Sequence, residues 1–308
     1  MSEPIWIPFV DLRATLPAET GIWAVPSVRD RVRAIFPFPL LAMGERLPGQ
    51  RALLVVGGGT LIDEAKVWRR EQAPDLELVA VPSVWGSGAE VSPIAVLNRD
   101  GKKVIQKDPR LLPDRYSFWP ELASSIPRHL AQYGCGDCWA HALEGFFSPL
   151  GSPALRQEIA GLIQEMLAGD DFQSARWFEW SARACAAQAR SSVGLIHGIA
   201  HQLEPILHER QPEPPWGHAR LCSLFLWPVL AFNRQQSPKG QQLLTEHGLS
   251  MAAIQEAARR MFQEADYRSV LPVLVECWPA ILRDPCTRTN SVLVRPTALD
   301  FFRQESFS

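Results

Sequence analysis

The chain has 308 residues, of which 46% are hydrophobic and 21% are charged. This length is enough for one large or two ordinary domains, and the composition is that of a globular protein. The net charge of −2, without a block of lysine or arginine, offers no basic surface for nucleic acid. The longest apolar stretch, Leu221 to Phe232, contains a proline and is too short to span a bilayer. We therefore expect neither a nucleic-acid nor a membrane partner.

The N-terminus and the cysteines predict a cytoplasmic location. The first residues lack a basic segment followed by an apolar one, so no secretory signal is evident. The six cysteines have no regular spacing, which is typical of reduced thiols. Cys135 and Cys138 form a C-x-x-C pair, but no second pair completes a zinc site. We interpret both as small buried residues near a helix start, and a redox or zinc role is the alternative.

Short β-type runs separated by glycine and proline fill the chain up to about Leu122. The apolar run RALLVV, at residues 51–56, ends in Gly57-Gly58-Gly59, and LIDEAKVWRRE then has helical periodicity before the strand pattern LELVAVPS. Strand, glycine turn, helix and strand are typical of a parallel α/β unit. Two further strand patterns, SPIAVLN and KKVIQK, flank a predicted turn at Asp100-Gly101.

Helical patterns dominate from Ser124 onwards. The sequence therefore predicts an α/β domain with a short Rossmann-like parallel sheet at residues 1–122. An all-helical domain is predicted to follow at residues 123–308.

Two glycine-rich loops follow successive predicted strands. In the first, Gly57 to Thr60, the glycines allow a phosphate to approach the backbone at a helix N-terminus. The second, Gly86-Ser87-Gly88, adds a hydroxyl group beside a flexible backbone. Loops at the ends of neighbouring parallel strands suit a ligand crevice. The alternative is a pair of tight turns that bind no ligand.

Acidic and histidine residues recur at helical spacing in the second half. Asp137 and His141 are four residues apart, as are His197 and His201, so each pair shares a helix face. His218 begins a further helical pattern. One carboxylate and three imidazoles, from Asp137, His141, His197 and His218, would suit Fe²⁺ or Zn²⁺. Ordinary structural histidines are the alternative.

The order of these motifs resembles the iron-containing (group III) alcohol dehydrogenase family from about Leu53 to the C-terminus. The matching segments are GGGTLIDEAK, VPSVWGSGAEVSP, KDPRLLPD, WPELASSIP, GCGDCWAHALEGFFSP, GLIHGIAHQL, GHARLCSLFLWPVLAFN and DPCTRTN. The resemblance implies an architecture like that of dehydroquinate synthase, with a dinucleotide-binding domain, a helical metal domain and a cleft between them. It also implies a homodimer, which is common in the family. AVLNRDGKK and HALEGFFSPLGSPALR are closest to members that reduce phosphonate aldehydes.

The resemblance assigns roles to individual residues. It implies that the metal ligands are Asp137, His141, His197 and His218, and that His201 belongs to a proton relay near the reacting oxygen. Asp63 matches an acid near the nicotinamide. The remaining cofactor contacts would be Gly57, Gly58, Gly59, Thr60, Ser87, Gly88 and Lys103.

The sequence departs from the family in two places. Only one strand and one helix are predicted immediately before the glycine turn, where the family has two such units for the adenosine half of the cofactor. That strand ends in Ala24-Val25-Pro26, without an acid for a ribose hydroxyl. The link between His201 and His218 is longer than usual and contains His208, which is the alternative last ligand.

These features favour a metal-dependent oxidoreductase that interconverts a small aldehyde or ketone and its alcohol with NAD or NADP. The alternative is a metal-dependent lyase, isomerase or hydrolase that acts on a small phosphate or phosphonate without a dinucleotide. A non-catalytic scaffold would have lost the ligand set, which this chain retains.

Overall fold

The computed structural model describes residues 3–99, 102–169, 171–211 and 215–304. Within these residues the strands are β1 (Ile5–Trp6), β2 (Thr20–Ala24), β3 (Ala52–Gly57), β4 (Glu77–Pro82), β5 (Ile94–Arg99), β6 (Lys102–Lys107) and β7 (Arg115–Tyr116). The helices are α1 (Phe9–Thr15), α2 (Arg29–Ile35), α3 (Gly59–Gln72), α4 (Arg128–Phe147), α5 (Pro153–Leu167), α6 (Arg176–Ala189), α7 (Leu195–Arg210), α8 (His218–Gln236), α9 (Lys239–Glu246), α10 (Met251–Arg259), α11 (Glu264–Ile281) and α12 (Leu299–Phe302).

The chain divides into two compact units. The first, here the sheet unit, takes Met1–Arg99, Val104–Ile126 and Gln173–Ala186. The second, here the helical unit, takes Asp100–Lys103, Pro127–Phe172 and Ala187–Ser308. The predicted fold class, a parallel α/β sheet followed by helices, is confirmed.

The sheet unit is built on five parallel strands in the order β1-β7-β4-β3-β2. Every residue of β2 and β3 is buried, because helices cover both faces of such a sheet and leave no face for polar residues. The predicted unit of strand, glycine turn, helix and strand is present as β3, α3 and β4. Leu53 and Val55 of β3 pack with Ile62 and Ala65 of α3 in one apolar cluster.

The outer edge of β2 is paired with the loop that follows α2. The Ile22 amide donates to the Pro39 carbonyl at 2.9 Å, and the Leu41 amide donates to the Ile22 carbonyl at 2.8 Å. Helix α1 and strand β1 precede β2 and were not predicted. Strand β1 has only two residues, both exposed, and therefore carries no alternation of apolar and polar residues. The predicted turn at Asp100-Gly101 lies outside the described residues.

Helices α4 and α8 of the helical unit pack against each other at a glycine. A Cβ placed on Gly136 would lie 2.4 Å from Ser223 Cβ and 2.5 Å from Ser223 Cα, so only glycine permits this approach. The contact brings Asp137, the next residue of α4, towards α8. The apolar segment from Leu221 is part of α8, as predicted, and most of it is buried. No helix among the described residues is both long and apolar enough to cross a membrane.

We expect Gly136→Ala to lower the free energy of unfolding by about 1–3 kcal/mol, because the added methyl group forces α4 and α8 apart. Chemical denaturation followed by the tryptophan fluorescence measures this change. Gly161→Ala on α5 is the matched control, since a Cβ there meets nothing within 4 Å. It should stabilise the helix by up to about 1 kcal/mol. Equal stability of the two variants would show that the approach of α4 and α8 is not tight.

Candidate metal centre

One carboxylate oxygen of the helical unit lies close to three imidazole nitrogens. Asp137 Oδ1 is 3.6 Å from His141 Nε2, 3.8 Å from His197 Nε2 and 4.0 Å from His218 Nε2. The structure therefore brings together the four residues that the sequence predicted as ligands. Three of them are buried, and the side chain of His218 is 26% exposed.

These atoms have the separations and the unmet bonding capacity of a metal site. Ligands at about 2.1 Å from a tetrahedral ion lie about 3.4 Å from one another, slightly less than the observed distances. Asp137 Oδ1 and His197 Nε2 are buried and have no hydrogen-bond partner among the described residues. A buried polar atom without a partner costs about 1–3 kcal/mol, so the cluster suits a cation that binds both. The residues fit a divalent metal ion.

The local sequence explains how the side chains converge. Asp137 and His141 lie one turn apart on α4, and His197 and His201 lie one turn apart on α7. His218 is the first residue of α8, directly after Gly217. Three helices thus each contribute part of the cluster. Residues on regular helices hold their positions more firmly than residues on loops do.

Two glutamates that were not predicted orient the histidines from behind. Glu144 Oε2 lies 2.7 Å from His197 Nδ1, and Glu204 Oε2 lies 3.5 Å from His218 Nδ1. A carboxylate at Nδ1 favours the tautomer whose Nε2 can bind a metal. Each glutamate stands seven residues after the first predicted ligand of its helix, Asp137 or His197, and so lies on the same helix face. That spacing could have identified both.

The electrostatics of the cluster keep two of the imidazoles neutral. Burial, followed by the neighbouring His197, lowers the pKa of His141 to about 3. Burial, followed by His218 and His201, lowers the pKa of His197 well below its usual value. Burial also raises the pKa of Glu144 to about 7. Neutral imidazole is the form that binds a metal ion, so at neutral pH these two side chains need no deprotonation.

His201 lies beside the cluster, as predicted, and has its own partners. Its Nδ1 is 3.7 Å from Asp284 Oδ2 and 3.8 Å from Cys286 Sγ. Its ring stacks on His218 with the centroids 5.4 Å apart. His208, the alternative last ligand, is exposed near the end of α7. The described geometry therefore favours His218 over His208 as the ligand.

Lys103 lies in the helical unit. Its Nζ is 2.9 Å from Glu204 Oε1, and the other oxygen of this carboxylate faces His218. The family resemblance implied that Lys103 would contact the cofactor. In the structure its charge supports the carboxylate behind a histidine of the cluster. Glu204 is one of the two glutamates that the sequence analysis missed, which is why this contact was not anticipated.

The two glycine-rich loops of the sheet unit lie next to each other. A Cβ placed on Gly59 would lie 2.5 Å from Ser87 Oγ, which is too close for a side chain. The two loops therefore pack closely against each other. Gly88 has a φ of +56°, which favours glycine, and an added Cβ would lie 2.2 Å from Cys185 Cβ. Helix α3 begins at Gly59, after Gly57 and Gly58, and Thr60 is exposed. Its N-terminal amides suit an anion such as a phosphate.

Asp63 is bound inside the sheet unit. Lys66 Nζ donates to Asp63 Oδ1 at 2.7 Å, and the Val96 amide donates to Asp63 Oδ2 at 2.9 Å. Lys66 is fully buried and also donates to the carbonyls of Ala89 and Ile94. Both oxygens of Asp63 thus hold α3 against the segment that follows the second glycine-rich loop.

Comparison with known proteins matches this arrangement of motifs. A profile described as iron-containing alcohol dehydrogenase matches residues 48–116. The chain is 31% identical to a 1-propanol dehydrogenase of Salmonella typhimurium over 242 residues, which cover 73% of this chain and 63% of that protein. It is 29% identical to maleylacetate reductase 2 of Cupriavidus pinatubonensis over 191 residues, which cover 60% and 52% respectively. The chain belongs to the iron-containing alcohol dehydrogenase family.

The family resemblance predicted from the motif order is therefore confirmed. The chain spans less than two thirds of the length of these two relatives. Among solved structures, a maleylacetate reductase from a Rhizobium species has a TM-score of 0.75 at 16% identity, covering 100% of this chain and 97% of that one. At this identity the likeness concerns the fold alone, and the fold is that of the iron-containing alcohol dehydrogenases.

We expect His141→Ala to weaken the binding of Zn²⁺ or Fe²⁺ by at least about tenfold, because it removes one of four donors. His141 Nδ1 has no hydrogen-bond partner among the described residues. The substitution therefore leaves no other polar group without a hydrogen bond at that nitrogen. Equilibrium dialysis with elemental analysis measures the affinity. His129→Ala is the matched control, since His129 is exposed on the same helix. Unchanged metal content in His141→Ala would remove this residue from the site.

Glu90 should make the stability of the protein fall as the pH rises. Burial raises its pKa from 4.5 to about 7 in spite of the nearby Lys66. Between these values the unfolded chain is ionised and the folded chain is not, so the free energy of unfolding decreases by about 3 kcal/mol. Glu90→Gln should remove this decrease in denaturation curves measured from pH 4 to 8. The exposed Glu121→Gln is the control, and an unchanged slope in Glu90→Gln would contradict the account.

Proposed function

We propose that the protein is a metal-dependent oxidoreductase that interconverts a small aldehyde or ketone and its alcohol. The observation that carries this proposal is the cluster of one buried carboxylate oxygen and three imidazole nitrogens in a chain of this family. Its relatives include a 1-propanol dehydrogenase and a maleylacetate reductase, whose names indicate an alcohol dehydrogenase and a reductase of small molecules. A phosphonate aldehyde remains the narrower prediction for the substrate.

The proposed ligands are Asp137, His141, His197 and His218. A divalent ion held by them would supply Lewis acidity to a carbonyl oxygen, and a nicotinamide cofactor would supply the hydride. Fe²⁺ is the ion that the family name indicates, and Zn²⁺ also suits these donors. The Lewis acidity of the ion is what would draw electron density from a carbonyl oxygen.

The protein's own groups orient the donors and move the proton. Glu144 fixes the ring of His197, and Glu204, held by Lys103, supports His218. We assign the proton transfer to His201, whose Nδ1 faces Asp284. With that nitrogen engaged, Nε2 is left to exchange a proton with the product oxygen. Histidine is the side chain that enzymes use most often for such a proton transfer.

For the cofactor we propose the two glycine-rich loops, with Gly57, Gly58, Gly59, Thr60, Ser87 and Gly88 around a pyrophosphate. The close approach of Gly59 to Ser87 and the start of α3 at this point support the assignment. We give Asp63 and Lys103 supporting roles, because each carries an ion pair to another side chain of its own unit. Their contacts with the cofactor stay predictions.

The setting of the enzyme is part of the proposal. We place it in the cytoplasm, in agreement with six cysteines that form no disulfide among the described residues. We also propose a homodimer that acts on a small molecule. Sedimentation of the purified protein tests the assembly, and a monomer at micromolar concentration would contradict it.

A second candidate function is non-redox chemistry on a small phosphate or phosphonate. The observation that favours it is the edge of the sheet at β2, which ends without an acidic residue for a ribose. The outer edge of this strand already bonds to the loop at Pro39 and Leu41. The glycine turn could then hold the phosphate of the substrate itself.

Titration with NADH and NADPH separates the two candidates. We expect saturable quenching of the protein's tryptophan fluorescence by one of the two, and aldehyde-dependent oxidation of that cofactor after loading with Fe²⁺ or Zn²⁺. Gly59→Ala should weaken cofactor binding, because its methyl group meets Ser87 Oγ. The Gly161→Ala protein should bind as the wild type does. Absence of binding by metal-loaded protein would reject the dehydrogenase and favour the second candidate.

A further inference from the structure

A cysteine on α8 lies within the metal cluster. Cys222 stands one helical turn after His218, and its Sγ is 3.5 Å from His218 Nε2. Donor atoms of Asp137, His197, His218 and Cys222 all lie within 4.8 Å of one another. Neither the sequence analysis nor the family resemblance gave this residue a role.

The position of the sulfur fits a shared ion. Sulfur about 2.3 Å and nitrogen about 2.05 Å from zinc lie about 3.1–3.8 Å apart when the angle between the two bonds is about 90–120°. The observed separation of 3.5 Å falls within this range. The approach of α8 to Gly136 places this turn of the helix beside Asp137.

The alternative is a buried thiol that donates a weak hydrogen bond to His218 Nε2. An ion bound to His218 Nε2 would occupy the lone pair of that nitrogen, so the thiol 3.5 Å away would lose this acceptor unless its sulfur also bound the ion. A cation bound to the sulfur, the carboxylate and the imidazoles satisfies all of these atoms together. The cluster as a whole therefore favours coordination over an isolated hydrogen bond.

We propose that Cys222 is a thiolate ligand of the metal centre, together with Asp137, His197 and His218, and that His141 is a fifth donor. This inference rests on the metal site of the proposed function. The thiol proton passes to solvent when the sulfur binds the cation. A soft sulfur donor favours Zn²⁺ and Cd²⁺ over harder ions such as Mn²⁺. Two anionic ligands also neutralise a divalent ion, which makes it a weaker Lewis acid than carboxylate and imidazoles alone would.

Absorption spectra of the protein loaded with one equivalent of Co²⁺ or Cd²⁺ test the thiolate directly. Metal–thiolate bonds give charge-transfer bands that oxygen and nitrogen ligands do not give. We expect these bands in the wild-type protein and their loss in both Cys222→Ser and Cys222→Ala. We expect Cd²⁺ affinity to fall at least about tenfold in these variants, with Mn²⁺ affinity changed less than about threefold.

Cys277→Ser is the matched control, because Cys277 is a buried cysteine of the same unit outside the cluster. Its spectra should match those of the wild-type protein. Wild-type protein that binds Co²⁺ without a thiolate band, or bands that persist in Cys222→Ser, would overturn the inference and leave the metal site intact. Asp137→Ala tests the site separately, since unchanged metal content there would overturn the site itself.

Discussion

The structure of the helical unit depends on the convergence of one carboxylate and three imidazoles in a buried place. Asp137 Oδ1 and His197 Nε2 lack hydrogen-bond partners among the described residues, and folding alone does not compensate for their lost hydration. A bound cation provides that compensation. The binding free energy of the ion therefore also stabilises the helices that carry the ligands. Metal binding and the packing of α4, α7 and α8 are parts of one equilibrium.

The same constraint explains the small residues and the outer carboxylates around the cluster. Gly136 permits the approach of α4 to α8, and Gly198 permits the approach of Thr287 to α7, where an added Cβ would lie 2.1 Å from Thr287 Oγ1. Glu144 is hydrogen-bonded to the outer nitrogen of His197, and Glu204 faces that of His218 at 3.5 Å, so that the inner nitrogens point to the centre. The backbone contacts set the distances between helices, and the carboxylates set the directions of the rings.

Much of this arrangement follows from sequence patterns of short range. The apolar run of β3, the glycine turn and the helical period of α3 predict a parallel α/β unit, because each pattern reflects local backbone geometry. The spacing of Asp137 and His141, repeated by His197 and His201, identifies ligand faces for the same reason. The sequence could not show which side chains from separate helices meet. Cys222 lies near Asp137 only because Gly136 lets α8 approach, and Lys103 meets Glu204 across a separation of 101 residues.

Anomalous X-ray diffraction from crystals of the protein with bound zinc or iron would locate the metal ion. We expect one strong peak in the helical unit, with Asp137, His141, His197 and His218 each about 2.0–2.2 Å from it. A peak that lies away from these four side chains, or metal-saturated crystals without a peak between them, would contradict this expectation.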